Sequence, residues 1–179
     1  MCPARHRSLK IGWLAIATVL LMGRSVPAQD VTEPALKAVF IYNFAKFTDW
    51  PVDPAQATEP FVLCVVGDAA VGDALVRTVR ARVLAGQKLS VSSRKPGEPL
   101  TTCRLLYISG TAREAAPIVA RLRDMPVLTI SDIEGFAELG GIASFFFESG
   151  QLRFSVNLES AHRAHLRISS QLLVMAKPK

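Results

Sequence analysis

The chain predicts an α/β fold: a single-domain three-layer sandwich with a mainly parallel sheet, helices on both faces and a C-terminal antiparallel hairpin. Three observations predict it. Short continuous apolar runs recur, as in Phe61 to Val66 (FVLCVV), and such runs are strands buried on both faces. Stretches of helical periodicity separate them, and strand–helix alternation is the pattern of α/β domains. Near the end, two runs of strand character flank a Ser-Gly dipeptide, which reads as a hairpin.

The first element is a helix. Thr32 can cap it and Pro34 fits its first turn. Asp49-Trp50-Pro51 ends it, because the residue before a proline is driven out of the helical region. Leu36, Val39, Phe40, Phe44 and Phe47 recur at helical spacing and form one apolar stripe. Ile41 and Tyr42 point elsewhere, so the helix is buried on more than one side or meets a partner on its second face. Five of the chain's aromatics (Phe40, Tyr42, Phe44, Phe47, Trp50) crowd into this segment. None of its residues is a nucleophile or a metal cage, so the signature concerns packing and docking.

Phe61 to Val66 is the first core strand. Gly67-Asp68 turns the chain into a helix over Ala69 to Val83, with Leu75, Val79 and Val83 on its apolar stripe and Gly86 as its stop. Leu89 to Ser93 is a short strand, and Pro96, Gly97 and Pro99 mark a loop. Arg104 to Ile108 is the second core strand. Thr111 caps a helix over Ala112 to Asp124. Val127 to Ile130 is the third core strand. Ser131 or Asp132 begins a short helical segment through Phe136, which Gly140-Gly141 ends. Ile142 to Phe147 and Leu152 to Val156 form the hairpin, turning at Ser149-Gly150. Asn157 caps a last helix running to about Met175.

Residues 1–28 read as a secretory signal: Arg5, Arg7 and Lys10, then Ile11 to Met22, then small residues at Val26 and Ala28 for cleavage after Ala28. The apolar run is shorter than the roughly 20 residues a membrane span needs. No lipobox follows it. Residues 29–179 then form one α/β domain, long enough for a real core. The whole-chain charge of +6 is misleading, because four basic residues and no acidic ones fall in the leader, leaving 17 basic against 15 acidic. That balance, in an exported chain, gives no reason to expect nucleic acid as a partner. Cys64 and Cys103 remain after the leader, and an even pair in an oxidising compartment suggests a disulfide. Two buried free thiols are the alternative.

Candidate chemistry is sparse. Gly67-x-x-x-x-Gly72 sits where phosphate loops sit but lacks their Lys-Ser/Thr, so a tight turn is the better reading, with a weak anion site at the helix start as the alternative. Asp132 and Glu134 follow a strand's carboxyl end, where open α/β sheets place their sites. Two carboxylates there suit acid–base work, or simply a helix N-terminus. Glu159, His162 and His165 have no facing partner motif and read as surface residues. No nucleophile elbow occurs. No metal and no cofactor is expected.

Several segments occur in order across nearly all of residues 29–179: Ala38 to Pro51 (AVFIYNFAKFTDWP), Cys64 to Asp68 (CVVGD) with the Cys64/Cys103 pair, Ile130 to Ala137 (ISDIEGFA), Gly140-Gly141, Leu152 to Leu158 (LRFSVNL) and Leu166 to Leu173 (LRISSQLL). Together they resemble the YfiR-like family of periplasmic regulatory proteins. The resemblance implies regulation without turnover. It implies repression of an inner-membrane diguanylate cyclase, or another sensor protein, through its periplasmic domain, with effects on cyclic di-GMP and biofilm. It further implies an outer-membrane lipoprotein that sequesters the regulator, a homodimer, and redox-sensitive disulfides. Two departures stand out: Glu138 to Ser149 lacks the second cysteine pair of some relatives, and His165 stands where a small residue is expected. The surface expected to meet the partner comprises Tyr42, Phe44, Phe47, Trp50, Asp132, Glu134 and Phe136. A small-molecule-binding module without turnover is the competing reading, and a hydrolase using Asp132 and Glu134 is the third.

Overall fold

The computed structural model describes residues 31–52 and 58–177; the expected leader lies outside the described residues. The core strands are β2 (Phe61–Val66), β4 (Gln87–Arg94), β5 (Leu105–Ile108), β6 (Leu128–Ser131), β7 (Ala143–Glu148) and β8 (Gln151–Val156), with the two-residue β3 (Val83–Leu84) at one edge. They form a seven-stranded sheet of order β3-β4-β2-β5-β6-β7-β8. Contacts from β4 to β7 are parallel, and β3 and β8 pair antiparallel at the two edges. Ser149 and Gly150 both have positive φ, +50° and +74°, the type I′ geometry that suits a twisted two-residue hairpin.

Strand alternation splits the core into two layers. Phe61, Leu63, Val65, Leu105, Tyr107, Leu128 and Ile130 face α1 (Glu33–Lys46) and α2 (Ala69–Val79). Cys64, Val66, Leu106 and Ile108 face α3 (Ala112–Leu122) and Phe136. Helices therefore cover both faces, as the sequence predicts. The Cys64–Cys103 disulfide lies in the α3 layer, with Cα atoms 5.7 Å apart and both residues buried.

Four expectations are corrected. α1 does not bury the stripe read from its sequence: Lys37, Ala38, Ile41, Phe44 and Ala45 are buried, while Val39 is 44% exposed. The helix is apolar nearly all round because it packs against the sheet and α2 together. α2 stops at Val79 instead of Val83, because Ala81 adopts φ +57° and turns the chain into β3. The segment after β6 is a series of turns and no helix. There the Ser131 hydroxyl accepts the Ile133 N–H at 3.0 Å, a local bond of the kind that competes with helix.

The predicted last helix is broken as well. It consists of α4 (Leu158–Arg163), β9 (Arg167–Ile168) and α5 (Ser170–Leu173). His165, at φ +56°, ends α4 in the left-handed region, a conformation that side chains such as Asn or His tolerate better than branched ones. The released chain lets β9 pair antiparallel with β1 (Thr48–Asp49).

Two glycines allow close approaches. A Cβ on Gly67 would stand 2.2 Å from the Ser109 carbonyl oxygen, and the residue has φ +87°. The carboxyl ends of β2 and β5 are thus in direct backbone contact. A Cβ on Gly141 would lie 2.1 Å from the Phe136 ring, which is fully buried.

Denatured, unreduced mature chain, residues 29–179, is expected to show no free thiol on titration, and two reactive thiols per chain would refute the bridge. The crosslink spans a sequence separation of 39, which on the chain-entropy model corresponds to about 4 kcal/mol. Cys64→Ala is expected to lower the unfolding free energy by about 2–5 kcal/mol in urea titrations. Gly141→Ala should cost about 1–3 kcal/mol through overpacking against Phe136.

Candidate functional site

The chain rises through β6 and leaves it at Ser131. The Ser131 hydroxyl is fixed twice: it donates to the Ile108 carbonyl at 2.7 Å and accepts from the Ile133 amide. Thr129 Oγ1 accepts the Ile142 amide at 3.1 Å, and Asn157 Nδ2 donates to the Ala137 carbonyl at 3.2 Å. Phe136 plugs the α3 layer beneath. These anchors hold Asp132 at the carboxyl end of β6 against the first half of α1.

There Asp132 meets Lys37. The Lys37 ammonium is 2.6 Å from Asp132 Oδ2 and 2.5 Å from Glu33 Oε1 one turn earlier. Lys37 is only 4% exposed, and a buried lysine needs such partners. Burial alone pulls its ammonium down. The hydrogen bonds it donates to Asp132 and Glu33 outweigh that and hold it above the ordinary lysine range. Tyr107 lies beneath, with no exposure. Burial, and then the charge of Asp132, push its phenol well above the usual tyrosine range. Its hydroxyl is buried and has no hydrogen-bond partner.

Beside Asp132 opens a cleft of about 410 Å³. Asp132, Ile133 and Glu134 form one wall and Ser144, Phe146 and Phe147 of β7 the other. Ser144 is 6% exposed and its hydroxyl is buried without a partner. Glu134 is exposed and forms no ion pair among the described residues.

The expected contact surface is not one surface. Asp132 and Glu134 stand at the carboxyl end of the strands. Trp50 stands beyond the other end of α1, edge-on to Phe61 with centroids 4.9 Å apart, and its Nε1 donates to the Arg104 carbonyl at 3.2 Å. The 14 residues of α1 separate the two ends by about 21 Å at 1.5 Å per residue. Phe44 and Phe136 are fully buried, so neither reaches a partner unless the core opens. Phe44 packs against Phe145 and Phe154 at 6.0 and 5.0 Å. Phe47 and Tyr42 are half-buried, and the Arg82 guanidinium lies 4.5 Å from the Tyr42 ring centre.

The alternative anion site at the start of α2 is occupied by the chain itself. Asp68 caps that helix, its Oδ1 accepting the Val71 amide at 3.0 Å, so a carboxylate already fills the position an anion would take. Sequence reasoning missed Lys37. The available signal was a single lysine three and four residues ahead of Phe40 and Ile41, in an otherwise apolar run. Among the described residues, no three His, Cys, Asp or Glu side chains come together as a metal cage. No helix among them is long and apolar enough to cross a membrane.

Asp132→Asn should destabilise the fold by about 2–3 kcal/mol. That lies below the 3–5 kcal/mol typical of a broken buried pair, because the Asp132 side chain is 30% exposed and Glu33 remains. Lys37→Met in the same chain should recover most of the loss, since it removes the stranded ammonium. Both Lys37 and Tyr107 have folded pKa values raised above their unfolded ones. Their stabilisation is therefore complete below about pH 10 and is lost as pH rises further. Thermal melts from pH 8 to 12 should show the wild-type midpoint falling only above about pH 10, with a smaller fall in the double variant.

Residues 34–177 match the YfiR/HmsC-like family, a span that takes in all but the first three of the described positions. That span contains the disulfide, the Lys37–Asp132 pair and the cleft. The chain belongs to the YfiR/HmsC-like family of periplasmic regulators.

Proposed function

We propose that this protein represses a membrane-bound signalling enzyme, a diguanylate cyclase, by binding its periplasmic domain, and so restrains cyclic di-GMP and biofilm formation. The observation that carries this reading is the family match over residues 34–177. The geometry supports action by contact instead of turnover. The carboxylate best placed for acid–base work, Asp132, is committed to Lys37, and a group held in a structural ion pair is a poor proton shuttle. The buried disulfide suits an oxidising compartment.

The proposed contact surface lies on α1, α2 and β3. Val39, Val76 and Val83 are 44%, 48% and 57% exposed, and Tyr42 with its stacked Arg82 lies among the same elements. Exposed apolar residues beside an aromatic–arginine pair are the composition of an interface centre. This surface serves the cyclase or a second copy of the chain, and an outer-membrane lipoprotein competes for the regulator. Export through a cleaved leader places the chain where it meets these partners. A second reading, a small-molecule-binding module without turnover, is favoured by one observation: the apolar cleft with the unpartnered Ser144 hydroxyl.

Deleting the gene is expected to raise cyclic di-GMP several-fold, and supplying the chain in the periplasm to reverse the rise. Val76→Asp and Tyr42→Ala should accumulate normally yet repress less. Phe136→Ala should instead reduce accumulation, because that ring is core. If deletion changes no membrane signalling output, the regulatory reading gives way to the ligand-binding module.

A further inference from the structure

We propose that the cleft between Asp132–Glu134 and β7 binds a small amine with an apolar body. The inference deepens the second reading above and is independent of the regulatory one. The cleft stands at the carboxyl end of parallel strands, where open sheets of this class leave room for ligands. The usual crevice between β2 and β5 is shut, because Gly67 touches the Ser109 carbonyl. The opening lies further along the sheet, beside β6 and β7. Its volume, about 410 Å³, lies in the range of small-molecule sites.

The chemistry of the walls selects the ligand. Phe146, Phe147 and Ile133 offer apolar contact, and Phe147 is 51% exposed. Exposed aromatic faces at a site rim also attract cations. Asp132 and Glu134 line the cleft, and Asp132 pairs with Lys37, which also holds Glu33, so four charged groups bear on this end. Lys37 is spent on Glu33 and Asp132, so the four together leave negative charge and the unpaired carboxylate is Glu134. Arg153, opposite Phe146 in the hairpin, is turned along it: its Nη2 donates to Gln151 Oε1 at 2.6 Å and its Nε lies 3.9 Å from Glu148. An anionic ligand would meet net repulsion here.

The buried Ser144 hydroxyl supplies the second, independent sign. It lines the cleft, is only 6% exposed, and has no partner. An unmet buried hydroxyl is unfavourable, so the site has something to gain from a partner. A primary ammonium carries three donors and no acceptor. It can donate to Ser144 Oγ and to Glu134 while its apolar body lies against Phe146 and Phe147. An alcohol can hydrogen-bond either group but leaves the Glu134 charge uncompensated, and a carboxylate can accept from the hydroxyl but sets a second negative charge beside Glu134.

The test uses the full chain expressed with its own leader and purified from the periplasm. Phenethylamine, phenethyl alcohol and phenylacetate share one ring and differ in the charge of the end group. Calorimetry is expected to show saturable one-to-one binding of phenethylamine, at least tenfold weaker binding of the alcohol, and none of phenylacetate. Amide chemical shifts should move at residues 132–135 and 143–147. Glu134→Gln and Ser144→Ala should each weaken the amine at least fivefold. Glu134 is exposed, so its variant remains informative even where Ser144→Ala perturbs folding. Absence of saturable amine binding to folded wild-type protein overturns the proposal. Equal affinity for amine and alcohol, or unchanged affinity in Glu134→Gln, overturns it too. In each such case repression of the cyclase remains open to its own genetic test.

Discussion

A lysine that cannot reach water organises one end of this fold. Lys37 sits on the buried side of α1, and its ammonium is tolerable there only because Asp132 and Glu33 complete its hydrogen bonds. The requirement runs in both directions. α1 must place its first half over the carboxyl end of β6, and the turn leaving β6 must present Asp132 at one height. Ser131, tied to Ile108 and Ile133, sets that height. Apolar packing of Ile41 and Phe44 would hold α1 on the sheet in several rotations and slides. A buried ion pair with one partner position excludes most of them, and Tyr107 lies fully buried beneath it.

The sheet was legible because β2, β5 and β6 are continuous apolar runs, and only burial on both faces makes such runs. The hairpin was legible from Ser149-Gly150. Ile41, off the main stripe of α1, signalled burial on more than one side, and the structure buries it. What periodicity could not show was which side wins: it placed Val39 in the stripe and passed over Lys37, Ala38 and Ala45. The last helix failed for a different reason. The residues from Leu158 to Met175 have helical spacing throughout, but His165 takes a left-handed conformation and β9 finds an edge at β1. Tertiary pairing overrode local preference there, and nothing within the segment signals it.

The candidate site was half legible. Asp132 and Glu134 were located by their place after a strand, yet their roles diverge: one is consumed in structure and the other is exposed. Ser144 carried no sequence signal at all, since a serine in a strand reads as ordinary. The aromatics of Phe40 to Trp50 drew attention as docking residues, and the structure buries Phe44 fully and Phe40, Tyr42, Phe47 and Trp50 partly, with Phe40 and Phe44 meeting Phe145 and Phe154 from α1. Among the described residues of α1, α2 and β3, the exposed large apolar side chains are Val39, Val76 and Val83, beside the half-buried Tyr42.

The contact between Gly67 and Ser109 has a bearing on the scaffold as a design platform. Nucleotide-binding sheets of this general type keep a gap between two neighbouring strand ends and seat the phosphates in it. Here the gap is welded shut by main chain, and the adjacent helix start is already capped by Asp68. Grafting a phosphate loop onto β2 would therefore require parting β2 from β5, which also carry the centre of the core. New binding specificities are more readily built by changing the loop between β6 and β7, where variation leaves the sheet's middle undisturbed.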